Sequence, residues 1–328
     1  MRVPLRPLPV LSILLLALLW GCAEPPAGDG AVAPSAIPER ASVADLQELM
    51  ETGQASAEDI ARSSIDRIEW LDDTLRAVIA ISPEALDEAR ALDEERAAGQ
   101  VRGPLHGIPV LLKDNIEAQG ALPTSAGSLA LVNNVTGRDA PLVARLREAG
   151  ALILGKANLS EWANFRSERS SSGWSAVGGQ ARNPYDTSRT PCGSSSGSGV
   201  AVAADYVPLA VGTETNGSVV CPSTVNGIVG IKPTVGLVSR RGIVPISASQ
   251  DTAGPMTRSV ADAALMLQAM IGEDEQDPAT AIAAEAATWD LSSHLQETGL
   301  QGKRIGVLRS QTGYHEGVDA AFEKALVD

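Results

Sequence analysis

Short apolar runs alternate with amphipathic stretches along most of this 328-residue chain. The runs at 108–112, 151–154, 207–211, 228–231 and 304–308 are too short for typical helices and are bounded by Gly, Pro or polar residues, so they predict buried strands. Strands that alternate with helices are typical of an α/β fold. The pattern therefore predicts a mixed, mostly parallel sheet sandwiched by helices.

The stretches between these runs have the apolar spacing of helices. Ile60 and Ile68, for example, fall on one helical face of the second stretch. Ser42, with Asp45 three residues later, is typical of a helix N-cap, and Gly99 is placed to end a third N-terminal helix. Helices are predicted over residues 42–50, 56–71, 83–98, 139–149, 199–205 and 258–271.

The N-terminus has the pattern of an export signal. Arg2 and Arg6 precede an apolar run at 8–20, which is too short to span a bilayer but is typical of a signal peptide. The run ends in LWGC, which resembles a bacterial lipoprotein box in which Cys22 becomes the lipidated first residue. We therefore expect an exported protein, either periplasmic or a membrane-anchored lipoprotein, that contacts the membrane only through its lipid.

Composition and pattern divide the chain into segments. They are a signal peptide at 1–21, a Pro/Ala/Gly-rich flexible tether at 22–40, and one domain at 41–328 that consists of a helical layer at 41–100 and a catalytic core at 101–328.

Charge and residue counts exclude several function classes. The net charge of −14 leaves no basic footprint for phosphates, so a nucleic-acid partner is not expected. The cysteines are Cys22, Cys192 and Cys221, and the histidines are His106, His294 and His315. Their spacing matches no zinc ribbon, CxxC or HExxH motif, so we expect neither a metal nor another cofactor.

The candidate catalytic residues are serines in two polar loops and a lysine at the end of a predicted strand. Residues 166–198 form a long polar loop that leads into PCGSSSGSG at 191–199, and a second turn, TETNGS, follows at 213–218. An amide carbonyl needs an activated nucleophile, and a lysine can serve as the base if burial keeps it neutral. Lys113 follows the apolar run IPVLL and is the candidate base; the alternative is a lysine whose ammonium reaches solvent. Lys156 also follows an apolar run but has no comparable serine motif beside it.

Other motifs in the chain match catalytic patterns less well. Residues 193–197 fit GxSxG with Ser195 as the nucleophile, but residues 182–192 are not the hydrophobic strand that this elbow needs. Residues 150–156 fit GxxxxGK, yet Ala157 replaces the Ser or Thr and the interior is a predicted strand. His106 is interpreted as supporting the loop before the lysine strand rather than as a base.

Several segments together resemble the amidase signature family. They are GPLHGIPVLLKDN, PCGSSSGSG, GTETNGS and GIVGIKPTVGLVSRRGIVPISASQDTAGPM, and the resemblance extends over residues 42–310. Within the family the segments are most similar to those of bacterial peptide amidases. The resemblance implies that Lys113 is the general base, Ser218 the nucleophile, and Ser194, after a cis peptide bond, the serine that relays a proton between them.

The resemblance also implies how the transition state and substrate are held. Backbone N–H groups of Thr215, Asn216, Gly217 and Ser218 would form the oxyanion site, and Asn164 would line the acyl pocket. Asn216 departs from the family, which commonly has Gly there. The Gly/Ser loop also carries Cys and Ser at positions 192 and 196, where Gly is usual.

The expected function is hydrolysis of a carboxamide through an acyl-enzyme, with a primary or peptide C-terminal amide as substrate. The alternatives are a broad aryl or aliphatic amidase of the same family, the glutaminase-type subunit of a tRNA amidotransferase, and a catalytically dead surface lipoprotein with the amidase fold. Because family chains usually continue well past this length, we expect the C-terminal part of the fold to be missing.

Overall fold

The computed structural model describes residues 37–327, in which strands and helices alternate along the chain. The helices are α1 (Val43–Glu51), α2 (Ala57–Leu75), α3 (Ala85–Ala97), α4 (Pro141–Glu148), α5 (Ser196–Ala203), α6 (Val220–Val225), α7 (Val260–Met270), α8 (Ala283–Ala286) and α9 (Glu316–Ala325). The strands are β1 (Val78–Ile81), β2 (Pro109–Lys113), β3 (Leu152–Ala157), β4 (Trp174–Ser175), β5 (Gly179–Gln180), β6 (Leu209–Glu214), β7 (Val229–Gly230) and β8 (Thr252–Thr257). Short 3-10 helices lie at Leu129–Leu131, Glu161–Asn164, Pro278–Ile282, Ser292–His294 and Arg309–Gln311.

The main sheet has the strand order β1-β3-β2-β6-β8-β7. Its centre is parallel, because β2 pairs in parallel with both β3 and β6. Its edges are antiparallel, with β1 on β3, β8 on β6, and β7 on β8. Helices flank this sheet, and α5 packs against β2, β3, β6 and β8. The predicted α/β architecture, with a sheet sandwiched by helices, is confirmed.

The central strands form because they can be buried completely. Every residue of β2, β3, β6 and β8 is buried, which suits strands covered on both faces. The parallel register places Leu112 opposite Val211, so β2 and β6 end at the same edge of the sheet. Residues that follow these two strands therefore lie side by side at that edge.

The N-terminal helices begin where the sequence predicts. Ser42 caps α1 in a capping box with Asp45, and Ser56 caps α2 in the same way. Buried His106 bonds the Leu92 carbonyl oxygen through Nε2 at 2.8 Å, which supports the segment before β2.

The strand predictions need correction at one predicted strand that is absent and at four observed strands that were not predicted. The predicted strand at 304–308 does not form; Ile305 is 64% and Leu308 75% exposed, and no described strand lies beside them to pair with their backbone. Conversely, β1 and β8 were not predicted, nor were the two-residue strands β4 and β5 within the predicted loop at 166–198. The sequence of β8, TAGPMT, contains Gly and Pro, which are disfavoured in strand interiors, and the burial and pairing of β8 override that preference.

The predicted signal peptide, Cys22 and most of the tether lie outside the described residues. Among residues 37–327, no helix is long and apolar enough to cross a membrane.

Candidate active site

Lys113 is the last residue of β2 and is fully buried. Its Nζ donates to Ser194 Oγ at 2.7 Å, to Thr213 Oγ1 at 2.8 Å and to the Thr213 carbonyl oxygen at 3.1 Å. Asn115 Nδ2 donates to the same Thr213 Oγ1 at 3.0 Å. The alternative interpretation, in which the amine of Lys113 reaches solvent, is therefore wrong. The amine points toward two hydroxyl oxygens and one carbonyl oxygen inside the protein.

Burial lowers the pKa of Lys113 from 10.5 to about 7, because the charged form loses its hydration. The negative charges of Glu214 and Asp251 act in the opposite direction but do not offset this cost. An amine with such a pKa is substantially neutral near pH 7, so it has a lone pair that can accept a proton.

Ser194 follows a cis peptide bond from Gly193, as the family resemblance implies. The neighbouring Ser195 is fully buried, and its Oγ both donates to the Thr213 carbonyl oxygen and accepts from the Thr213 N–H, each at 3.1 Å. Both functions of the Ser195 hydroxyl are therefore used within the fold. This arrangement does not suit the exposed nucleophile of a GxSxG elbow.

Gly197 lets the serine loop approach the sheet. A Cβ at this position would lie 2.2 Å from the Ala77 carbonyl oxygen and 2.5 Å from the Asn158 N, so a larger residue would force the first turn of α5 away. Since α5 starts at Ser196, the position of this helix also fixes Ser194, two residues earlier.

The 215–218 turn, which follows β6, lies beside the serine loop. The Ser195 N–H donates to the Ser218 carbonyl oxygen at 3.1 Å, so the backbone of residue 218 contacts the residue that follows Ser194. Gly217 has φ +84°, in the left-handed region that glycine adopts without strain. The turn therefore brings the second predicted serine to the same edge of the sheet as Lys113.

Glu214 organises the same turn from within β6. Its buried carboxylate accepts the N–H of Gly217 and of Val219 at 2.7 Å, and that of Val220 at 3.0 Å. The Gly217 N–H, predicted as an oxyanion donor, is thus already engaged. Among residues 37–327, the N–H groups of Asn216 and Ser218 have no hydrogen-bond partner.

Lys232 anchors the start of this turn. Its Nζ donates to the Thr215 carbonyl oxygen at 2.6 Å and lies 3.9 Å from Glu214 Oε1. The Thr215 hydroxyl donates to Asp251 Oδ1. Three charged side chains from different parts of the chain therefore hold the 215–218 turn.

A disulfide joins the two serine segments. Cys192, two residues before Ser194, is bonded to Cys221, three residues after Ser218. The sequence spacing gave no metal or CxxC motif and did not lead us to this bond. The predicted export was a signal for such a bond, because disulfides persist in the compartments that exported proteins reach.

A cavity of about 300 Å³ opens beside Ser194 and Thr213, the two residues whose hydroxyls contact Lys113. Its polar lining includes Asn115, Ser194, Thr213, Glu214, Thr215, Arg241, Asp251 and Gln276, and its apolar lining includes Ala163, Ile243, Val244 and Ile246. Asn164, predicted to line the acyl pocket, follows Ala163 in a left-handed stretch; its Oδ1 is buried, with no hydrogen-bond partner in the described part of the chain.

Lys156 is a second buried lysine on the adjacent strand, β3. Its Nζ donates to Thr124 Oγ1 at 2.9 Å and to the Ile116 carbonyl oxygen, and lies 3.9 Å from Asp114 Oδ1. Burial lowers the pKa of Lys156 to about 8 and raises that of Asp114. None of the serines discussed above contacts this lysine, and residues 152–156 of the GxxxxGK match at 150–156 belong to β3.

The structure thus brings Lys113, Ser194 and the 215–218 turn to one edge of the sheet. Sequence reasoning missed the supporting residues Thr213, Glu214, Lys232 and Asp251. Glu214 could have been found, since a carboxylate at the end of an apolar strand is unusual. In residues 37–327, no group of three His, Cys, Asp or Glu side chains is arranged to hold a metal ion.

Comparison with known proteins connects this geometry to a family. Residues 59–328 match the family model described as Amidase. The native peptide amidase from Stenotrophomonas maltophilia is 56% identical, with a TM-score of 0.83 over 87% of this chain and 59% of that chain. An amidase family protein from Bacillus anthracis is 43% identical, with a TM-score of 0.83 over 88% of this chain and 58% of that chain.

A curated relative with a different name matches over a similar range. It is a glutamyl-tRNA(Gln) amidotransferase subunit of Salinispora arenicola, 43% identical over 289 residues, which are 87% of this chain and 57% of that protein. The chain spans about half the length of the curated relatives it matches.

Proposed function

We propose, from the premise that this chain belongs to the amidase signature family, that it hydrolyses carboxamides through an acyl-enzyme on Ser218. The observation that carries the proposal is the contact of 2.7 Å between the fully buried Lys113 amine and Ser194 Oγ, beside the 215–218 turn. Such a lysine can serve as a base at neutral pH without histidine.

The proton path follows from the hydrogen-bonding capacity of the lysine. A neutral amine has two N–H donors and one lone pair, whereas Lys113 Nζ has three oxygen contacts. The Thr213 carbonyl oxygen can only accept, so the lone pair faces a hydroxyl, that of Ser194 or Thr213. We assign it to Ser194, which gives its proton to Lys113 as it takes the proton of Ser218.

The attack then proceeds at the substrate carbonyl. Ser218 Oγ bonds to the carbonyl carbon, and the oxyanion accepts hydrogen bonds from the N–H groups of Asn216 and Ser218, which have no partner among the described residues. Thr215 and Gly217 complete the predicted oxyanion set, although the Gly217 N–H also serves Glu214. The proton held by Lys113 returns through Ser194 to the leaving nitrogen, and water releases the acid from Ser218.

A primary amide, such as a C-terminal peptide amide, is the proposed substrate class. The likeness to a peptide amidase over 87% of this chain supports it, as does a cavity of about 300 Å³ beside Ser194. Asn164 is proposed to line the acyl side of the pocket. The reaction as drawn uses side chains and backbone N–H groups, and we propose that it requires no cofactor.

Three variants test the assignment of the serines. Ser218→Ala should abolish both amide turnover and labelling by a fluorophosphonate probe, whereas Ser194→Ala should slow labelling strongly without removing it. Ser195→Ala is the matched control at the adjacent position. Loss of labelling in Ser195→Ala together with full labelling of Ser218→Ala would refute the mechanism.

A glutaminase-type role within a tRNA amidotransferase is the second candidate, favoured by the 43% identity to the Salinispora arenicola protein. The rates at which the protein hydrolyses free glutamine and a C-terminal peptide amide distinguish the two candidate functions. Faster hydrolysis of the peptide amide supports the first proposal, and faster hydrolysis of glutamine supports the second. A broad aryl or aliphatic amidase would instead prefer small amides in the same assay.

We propose further that the protein is exported and carries lipid on Cys22, based on the basic start, the apolar run and LWGC. Mass spectrometry of the protein from its native membrane fraction should find a diacylglyceryl-modified Cys22 as the first residue. An unmodified Met1 in a cytoplasmic fraction would refute this proposal.

A further inference from the structure

Asp251 lies between the cavity wall and the 215–218 turn. Its Oδ2 accepts the N–H of Ile246 at 2.7 Å and of Ser247 at 2.8 Å, and its Oδ1 accepts the Thr215 hydroxyl. Asp251, Ile246 and Ser247 line the same cavity as Ser194. One carboxylate therefore bridges the wall of the cavity and the first residue of the turn that carries Ser218.

Hydrogen bonds within the loop at 246–251 use only one of the two carboxylate oxygens of Asp251. Two backbone bonds already close the loop, since the Ser247 carbonyl oxygen accepts the N–H of Gln250 at 3.2 Å and that of Asp251 at 3.0 Å. Only Oδ2 adds to this closure. Oδ1 reaches outside the loop to Thr215, which is 36 residues away in sequence.

The charge of Asp251 also acts on the lysine. Glu214, at the end of β6, and Asp251 are the two carboxylates whose charge raises the pKa of Lys113 against the larger effect of burial. Glu214 faces Lys232 at 3.9 Å, and Arg240 near Asp251 is paired with Asp277 at 2.9 Å. Lys232 and Arg240 thus have other carboxylate partners, and Asp251 contributes a negative charge to the environment of Lys113.

We propose that Asp251 is a positioning residue for amide hydrolysis, which fixes the oxyanion turn through the Thr215 hydroxyl and places a negative charge on the wall of the cavity that Ser194 and Thr213, the partners of Lys113, also line. This inference rests on the proposed function of the triad. It assigns to one carboxylate two effects that substitutions can separate, one transmitted by a hydrogen bond and one by charge.

Two variants separate the effects. Thr215→Val removes the hydroxyl but keeps the charge of Asp251, so it should lower kcat about 10- to 100-fold and leave the acid limb of the kcat/KM profile in place. Asp251→Asn removes the charge with little change of shape, so it should lower kcat and also shift that limb to lower pH, because protonated Lys113 loses a favourable interaction. Gln250→Ala, at the exposed neighbouring position, is the matched control.

The measurements are kcat, KM and pH profiles on a peptide amide, with the thermal midpoint of each variant. A kcat loss of tenfold or more in both variants, with the acid limb shifted only in Asp251→Asn, supports the inference. A kcat within threefold of wild type in either variant, or an unshifted limb in Asp251→Asn, overturns it. If the wild-type protein neither hydrolyses amides nor labels at Ser218, the proposed function fails instead. If Asp251→Asn does not fold, Thr215→Val decides alone through its kcat.

Discussion

Lys113 and Lys156 lie on neighbouring parallel strands, and both are buried almost completely. The register pairs Leu112 with Lys156, so Lys113 projects from the opposite face of the sheet. Burial lowers the pKa of both amines, to about 7 for Lys113 and about 8 for Lys156. Residue type, burial and strand position therefore do not distinguish the two lysines.

Their neighbours do distinguish them. Lys113 contacts two hydroxyls and a carbonyl oxygen at the edge of a cavity, and no carboxylate lies within salt-bridge distance of it in the described chain. Lys156 is held by a carbonyl oxygen, Thr124 and the carboxylate of Asp114. A depressed pKa is thus a consequence of burial at both positions. The serine next to it is what makes Lys113 a candidate base.

The largest expected effect is on catalysis. Lys113→Met should lower kcat/KM by about 10²- to 10⁴-fold, because it removes the proposed general base. Activity per folded molecule should stay within a few-fold of wild type in Lys156→Met, and in Lys303→Met as an exposed control. Steady-state kinetics with the folded fraction measured by circular dichroism tests this. A larger loss in Lys156→Met than in Lys113→Met would reverse our assignment.

The next effect is on stability, and here the loss is expected at Lys156 rather than at Lys113. Lys156→Met should lower the free energy of unfolding by about 3–5 kcal/mol, because it leaves the buried carboxylate of Asp114 without its partner. The double variant Lys156→Met/Asp114→Asn should recover part of this loss. Urea denaturation measures both values. A double variant less stable than the single one would show that the pair does not account for the role of Lys156.

A third experiment concerns the disulfide between Cys192 and Cys221, which joins the two serine segments near Lys113. The double variant Cys192→Ser/Cys221→Ser should lower the free energy of unfolding by about 2–5 kcal/mol, because the disulfide restricts the unfolded chain. The probe should also label Ser218 more slowly, since the two serine segments lose their cross-link. Treatment of wild type with a thiol reductant should reproduce both effects. Unchanged stability and labelling would mean that packing alone fixes these segments.

The smallest effect is the pH dependence that the titration of Lys113 imposes on activity and on stability. Because its amine must be neutral to act as a base, kcat/KM should fall about tenfold per unit below a pH of about 7. For stability the sign is set by the lowered pKa. Between about 7 and 10.5 the unfolded state binds more protons, so stability rises with pH in this window. Lys113→Met should therefore gain most over wild type below pH 7, and an advantage that does not shrink as the pH rises would contradict this account.

The comparison also explains how the sequence separates the two lysines. The runs before the two lysines are similarly apolar, but only Lys113 belongs to a set of segments that resemble one family. Strands β2, β3 and β6 were predictable because each is a continuous apolar run buried on both faces. The position of Ser194 beside Lys113 follows from the same motifs.

The contact between Asp251 and Thr215 was not predictable from the sequence, for a physical reason. Asp251 and Thr215 are 36 residues apart, and the antiparallel pairing of β8 with β6, which sets Thr252 opposite Glu214, brings them together. Strand β1 is short and only partly buried, and the exposed run at 304–308 has the apolar composition of a strand without a partner. The amino-acid composition of a segment does not predict such contacts or strand pairs, because they depend on which segments become neighbours in the fold.

The bond between Cys192 and Cys221 has a topological consequence. It closes a ring of covalent bonds that includes α5, β6 and both serines, Ser194 and Ser218. A protease that cuts any single peptide bond inside this ring produces two polypeptides that remain joined through sulfur. Both serines therefore stay on one covalent molecule after such a nick, and they separate only when the disulfide is reduced.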